Sequence, residues 1–338
     1  MRLLSVQEPG GFDTTSKAAL DSGRQNLRNS CPPAALLPDH AEGTYMATTS
    51  AACVLLAALC WGVAGGIGGI LIEEGWEPLA ISFYRGAIGL AFFLVWLALR
   101  PQRSGLSNRR LWFWSAVAGL GVAGNFVFYF LSIDGSSVAV AATLMYCAPV
   151  FVYLVSFAFK LEKPTTFKWA AIGVVTLGIV LLTRIYDLES SGVTWLGVGA
   201  GVLAGLSYAV FIFGFRFAAP HGSPQAILVI AFAALTSMFI WQGDSDQPPA
   251  ALSTASWTLF AALGVLGAGL SFTFYVIGLK HTTPVVASIL AMVEPVTAAL
   301  FGVYVLNETL VRTQILGMVL IMLTVTALCV HSSVRSNA

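Results

Sequence analysis

The chain has 338 residues, 57% hydrophobic and 10% charged, with a formal net charge of +1 and a mean hydropathy of +0.82, whereas an average soluble domain is about 25% charged. That balance excludes a soluble globular protein and leaves no basic footprint for nucleic acid. Five cysteines (Cys31, Cys53, Cys60, Cys147, Cys329) lie far apart, without the paired spacings of disulfide frameworks or zinc sites, and read as inert small hydrophobes.

Residues 1–45 are rich in Pro, Ser, Asp, Asn and Arg, with no apolar run long enough for a signal-peptide core, and are expected to be a disordered leader. Met46 stands just before the first apolar run, so a start at that residue is an equally good reading. A bilayer core of about 30 Å asks for roughly 20 apolar residues per helix, which places spans at 49–71, 79–99, 111–132, 136–159 and 167–184. Five more follow at 194–215, 223–242, 254–278, 284–306 and 313–330. Short polar punctuation separates them, such as Glu73-Glu74-Gly75 and Gly243-Asp244-Ser245-Asp246, so neighbouring spans run antiparallel in a compact bundle.

Loop charges orient the bundle. One side holds Arg100, Arg103, Arg109, Arg110, Lys160, Lys163, Lys168, Arg216, Lys280 and Arg335. The other holds only Arg184 and Arg312, among Glu73, Glu74, Glu77, Asp134, Asp187, Glu189, Asp244 and Asp246. Both termini are therefore expected in the cytoplasm of a multi-pass protein of the cell membrane.

The chain also repeats itself. At an offset of 146, residues 111–162 align with 257–308 without a gap, 13 of 52 positions being identical. Among the matches are Gly121 with Gly267, Phe126 with Phe272, Phe128 with Phe274, Tyr129 with Tyr275, Ala141 with Ala287, Pro149 with Pro295 and Glu162 with Glu308. Near 147, Leu59-Cys60-Trp61 meets Leu206-Ser207-Tyr208. Five is odd, so the second half enters the membrane from the opposite side: an all-α integral membrane fold of ten helices as an inverted 5+5 repeat. Two inverted halves can exchange conformations around one central site, as secondary transporters do; an enzyme or scaffold has no such need.

Leu279 to Leu290, Glu294-Pro295, and Leu306-Asn307-Glu308-Thr309-Leu310 with Gly317 resemble the signature of EamA-type members of the drug/metabolite transporter superfamily. The copy at Ala141 to Pro149 with Glu162, and Phe83-Tyr84-Arg85-Gly86, are similar too. The resemblance covers about 49–330, as repeats at 49–184 and 194–330. It implies a ten-helix, exporter-like fold with a central cavity, in a family whose members include amino-acid exporters, among them aromatic and threonine/homoserine exporters.

Two ionisable residues lie well inside spans, Arg85 and Glu294, and charges at that depth belong in the bundle interior or a water-filled cavity. Arg85 can draw in a carboxylate or pair with an acid; as a structural residue it would snorkel to the interface. Glu294 precedes Pro295, which removes a helical hydrogen bond, so it can carry a proton or hold a substrate ammonium, or simply accompany a kink. Pro149 is followed back to Ala148 where Pro295 has Glu294, so the proline tracks the repeat and the acid does not. Trp61 and Tyr208, Asn125 and Ser271, and Tyr129 and Tyr275 occupy corresponding places, with Tyr146 one turn before Pro149; they can line a site for an apolar or aromatic solute or pack the core. Glycines at small-xxx-small spacing (Gly62 with Gly66, Gly65 with Gly69, and Gly197, Gly201, Gly205) are read as close helix contacts, and Glu162 and Glu308 as helix-end residues.

No phosphate-binding G-x-x-x-x-G-K-[ST] loop is present, and His40, His221, His281 and His331 all lie outside spans or at their ends, with no catalytic motif. The preferred reading is gradient-driven transport of a small solute without a cofactor or metal. A membrane-embedded enzyme and a non-transporting scaffold are the alternatives.

Overall fold

The computed structural model describes residues 39–101, 104–136, 138–161, 163, 165–187, 194–241, 255–307 and 309–336. The chain divides into two units, Met1–Gly43 and Thr44–Ala338, and the second carries the bundle. Ten helical spans follow one another: α1 (Asp39–Glu73), α2 (Pro78–Leu99), α3 (Arg109–Asp134), α4 (Val138–Met145 continuing as Ala148–Ala158), α5 (Thr166–Thr183), α6 (Trp195–Ala218), α7 (Pro224–Trp241), α8 (Trp257–Leu279), α9 (Pro284–Leu290 continuing as Val293–Val305) and α10 (Arg312–Ser336). Eight are long and apolar enough to cross a bilayer, and shorter apolar stretches at Pro224–Phe239 and Arg312–Leu328 complete the ten. No strand occurs among the described residues. The protein is a multi-pass membrane protein.

The ends of the helices follow local chemistry. Asn108, Thr165, Thr194 and Thr283 cap α3, α5, α6 and α9 by accepting an N–H of the first turn, the ordinary use of these residues. Prolines 78 and 284 start α2 and α9, where a missing N–H costs nothing. Helix α1 is already formed at Asp39, several residues inside the segment expected to be a disordered leader. The rest of that leader, with Cys31, lies outside the described residues, as do Glu162 and Glu308.

Packing repeats at the same offsets as the sequence. A Cβ on Gly121 of α3 would stand 2.7 Å from the Phe211 nitrogen of α6, and a Cβ on its counterpart Gly267 of α8 would stand 2.6 Å from Cβ of Ala64 in α1. Residues 64 and 211 are themselves 147 apart. Likewise Ser132 of α3 donates to Gly197 O of α6 at 2.7 Å, while its counterpart Gly278 lies against Ser50 O of α1. The α3–α6 and α8–α1 contacts are thus two versions of one interface.

Helices α4 and α9 are each interrupted just before a proline, at Tyr146–Cys147 and at Ala291–Met292. Pro149 and Pro295 have no N–H to continue the ladder, and their rings crowd the carbonyl four residues back. The backbone answers with shorter-range bonds: Val150 N to Cys147 O and Glu294 N to Ala291 O, both 2.9 Å. Helix α8 departs differently, with a π-helical stretch at Val265–Leu270 that no proline marks.

Candidate functional site

One cavity of about 350 Å³ lies between the halves, lined by Trp61, Gly65, Gly68, Gly69 and Ile72 of α1, Arg85 of α2, and Asn125, Phe126, Tyr129 and Ile133 of α3. Tyr146, Tyr208, Phe211, Phe272 and Glu294 are also in its lining. It runs from mid-bundle to the end that carries Glu73, Pro78 and Asp134. Of the nine candidate residues, Trp61, Arg85, Asn125, Tyr129, Tyr146, Tyr208 and Glu294 therefore meet in one place. Ser271 and Tyr275 are wholly buried beside it and are not among its lining.

Arg85 is held, not snorkelling. Its Nε and Nη2 donate to Gly267 O at 2.9 and 2.7 Å, and the guanidinium carbon stands 5.0 Å from the centroid of the Phe126 ring, within cation–π range. The π stretch makes that carbonyl available. Ser271 N would bond Gly267 O in a regular helix, but here it bonds Leu266 O and Ala268 O. Glycine at 267 also leaves room, since a Cβ there would stand 3.1 Å from Arg85 Nε.

Glu294 sits in the first turn of the second α9 segment and lines the same cavity as Arg85 and Tyr146. Tyr129 and Tyr208 line it as well. Arg85 and Glu294 form no direct ion pair with each other: the unlike charges face the cavity without closing on one another.

An aromatic floor closes the inner end. Trp61 lies 5.1 Å from Phe272 and 5.0 Å from Tyr275 between ring centroids, and Tyr208 4.5 Å from Phe211. Trp61 Nε1 and the Tyr208 and Tyr275 hydroxyls are buried with no hydrogen-bond partner among the described residues. Asn125 instead ties α3 to α6, donating to Ala204 O at 3.0 Å.

Two features escape the sequence. Phe126 and Gly267 build the Arg85 seat, and both were visible only as members of the repeat match. Of the glycine pairs, Gly62 packs against Thr297 and Gly66 against Phe301, but the assignment of close contact fails for Gly65 and Gly69. A Cβ on Gly69 would meet nothing within 4 Å and one on Gly65 only Ala298 at 4.0 Å. They thin the cavity wall. Cys53, Cys60 and Cys147 are free thiols, while the Cys329 side chain lies outside the described residues.

The sequence matches the EamA-like transporter family twice, over residues 48–184 and 195–329. The chain belongs to that family. Among relatives, an uncharacterized transporter of Archaeoglobus fulgidus is 29% identical over 270 residues, covering 79% of this chain and 91% of that protein. The threonine/homoserine exporter RhtA of Escherichia coli is 27% identical over 262 residues, 74% of this chain and 83% of RhtA. RhtA of Salmonella typhimurium is 30% identical over 202 residues, 59% of this chain and 65% of that protein. A solved crystal structure matches the EamA fold with a TM-score of 0.66 at 20% identity, covering 88% of this chain and 99% of the other. The protein is a membrane transporter.

Proposed function

We propose that this EamA-family protein is a secondary transporter that exports a small zwitterionic metabolite, such as an amino acid, across the cell membrane by alternating access around the central cavity. The observation that carries the reading is a guanidinium and a carboxylate facing one 350 Å³ space without pairing with each other. A zwitterion supplies an ionic partner to each: its carboxylate suits the Arg85 N–H groups that Gly267 O leaves free, its ammonium suits Glu294, and Phe126, Tyr129, Phe211 and Phe272 surround the remainder. The exporter names of the RhtA relatives agree with this class. The EamA relatives also weigh against an enzyme, and a scaffold would leave two buried charges without a purpose.

Loop charge puts the Lys280 end of the bundle in the cytoplasm and the Glu73 end outside, with the second half inverted relative to the first. Energy comes from a gradient, and Glu294 is the group to carry a proton if protons are the coupling ion; passive facilitation is the other mode. The test is flux of a panel of amino acids and cationic solutes in proteoliposomes, with pH and voltage gradients imposed separately. Glu294→Gln should abolish pH-driven uptake of the transported amino acid. Undiminished uptake by that variant would remove Glu294 as the proton site, and no flux of any amino acid by the wild type would remove the substrate class.

A further inference from the structure

The repeat lets each residue along the open half of the cavity be compared with the residue that holds the same place in the other half. In α1 the wall is Gly65, Gly68 and Gly69; 147 residues on, α6 has Ile212, Phe215 and Arg216. In α3 the wall is Tyr129 and Ile133; 146 residues on, α8 has Tyr275 and Leu279. The first set lines open space, and a Cβ on Gly68 or Gly69 would touch nothing within 4 Å. In the second set Ile212, Phe215, Tyr275 and Leu279 are fully buried. Arg216 then donates from Nη1 to Leu279 O at 2.9 Å and to Lys280 O at 2.6 Å, joining the end of α6 to the end of α8. At the corresponding corner of α1 and α3, Gly69 offers no side chain to Ile133 or Asp134.

We infer that Ile212, Phe215 and Arg216 form the cytoplasmic gate of the transporter, and that Arg216, by clasping the C-terminal carbonyls of α8, latches the protein with its cavity open to the outside. This rests on the alternating-access reading above. If the two halves exchange conformations, α6 and α8 must part as α1 and α3 are parted here, and both Arg216 bonds must break. Closing the outer corner gains no equivalent bond, because glycine stands where arginine would be needed. The resting preference for the outward-open state is therefore encoded as an arginine on one side and a glycine on the other. The same asymmetry accounts for Ser271 and Tyr275: they hold the places of Asn125 and Tyr129 and would line the path only in the other state.

The test uses full-length protein with its five cysteines replaced and one probe cysteine introduced, either Ile133→Cys on the outer path or, on the inner one, Val276→Cys, the buried counterpart of the cavity-lining Phe130. A charged, membrane-impermeant thiol reagent is applied from each side in oriented vesicles. The parent should label readily at position 133 from outside and scarcely at 276 from the cytoplasmic side. Arg216→Ala should raise labelling at 276 about tenfold, the scale set by losing charge-assisted hydrogen bonds that water partly replaces, and lower it at 133. Gly69→Arg should move both rates the same way by supplying the outer corner with a latch, and it decides the matter if Arg216→Ala does not fold. Labelling unchanged in a folded Arg216→Ala or Gly69→Arg protein, or a parent that labels equally at both sites, would overturn the latch. Flux measured in parallel separates the readings: labelling that shifts without amino-acid flux sinks the substrate class and keeps the latch, whereas flux with immobile labelling does the reverse.

Discussion

Arg85 reaches Gly267 O through two nitrogens while its plane faces Phe126, a combination a lysine ammonium cannot reproduce. Arg85→Lys should therefore lower transport efficiency by about tenfold or more, as loss of a charged, geometrically fixed contact does, with normal expression; initial flux rates in proteoliposomes measure it. Opposite behaviour is expected of two glycines. Gly267→Ala forces a methyl against Ala64 and Arg85 and should destabilise the protein by about 1–3 kcal/mol, seen as a lower melting temperature in detergent. Gly68→Ala enters open space and should leave stability unchanged or raise it by up to about 1 kcal/mol. Sequence located the charged residues of this site because ionisable groups are conspicuous in apolar runs. It misassigned Gly65 and Gly69 because a missing side chain at helical spacing serves equally to bring helices together or to leave a channel wall thin, and only the neighbours decide which.

At the scale of helices, α2 to α9 were legible to within three residues of their ends, since composition and capping residues mark where water begins, whereas α1 and α10 extend beyond their apolar runs to Asp39 and Ser336. The interruptions in α4 and α9 were legible through Pro149 and Pro295. Replacing Pro295 by Ala should let the ladder run on through Ala291–Met292 and, with Glu294 turned out of its present position, slow transport several-fold while raising thermal stability by up to about 3 kcal/mol; flux and thermal unfolding on the same preparation check both arms. The π stretch of α8 was not legible. Its residues, Val265-Leu266-Gly267-Ala268-Gly269-Leu270, are ordinary helix formers and glycines, and the wide turn arises from tertiary demands: the guanidinium claims one carbonyl, and α1 and α2 press on the glycines. Ser271 and Tyr275 were likewise placed in the cavity by symmetry of sequence, which says which residues correspond but not which half stands open.

For the whole molecule, the charge asymmetry of the loops makes a direct prediction: an epitope or single cysteine in the 104–107 loop, near Arg109 and Arg110, should be reached by an impermeant reagent only from the cytoplasmic face, and one at Glu74 only from outside. Reversed accessibility would turn the export direction around while leaving the cavity as described. The two halves, matched so closely at α3–α6 and α8–α1, differ also in the wide turn of α8. A turn of this kind behaves as a dislocation does in a crystal. It can slide along the helix by exchanging one backbone bond for another, and each residue it passes turns by one position, about 100°, while the helix on either side keeps its place. A slide past Phe272 and Tyr275 would turn both about the axis of α8 without exposing a bare peptide group to lipid, a freedom that its uninterrupted counterpart α3 lacks.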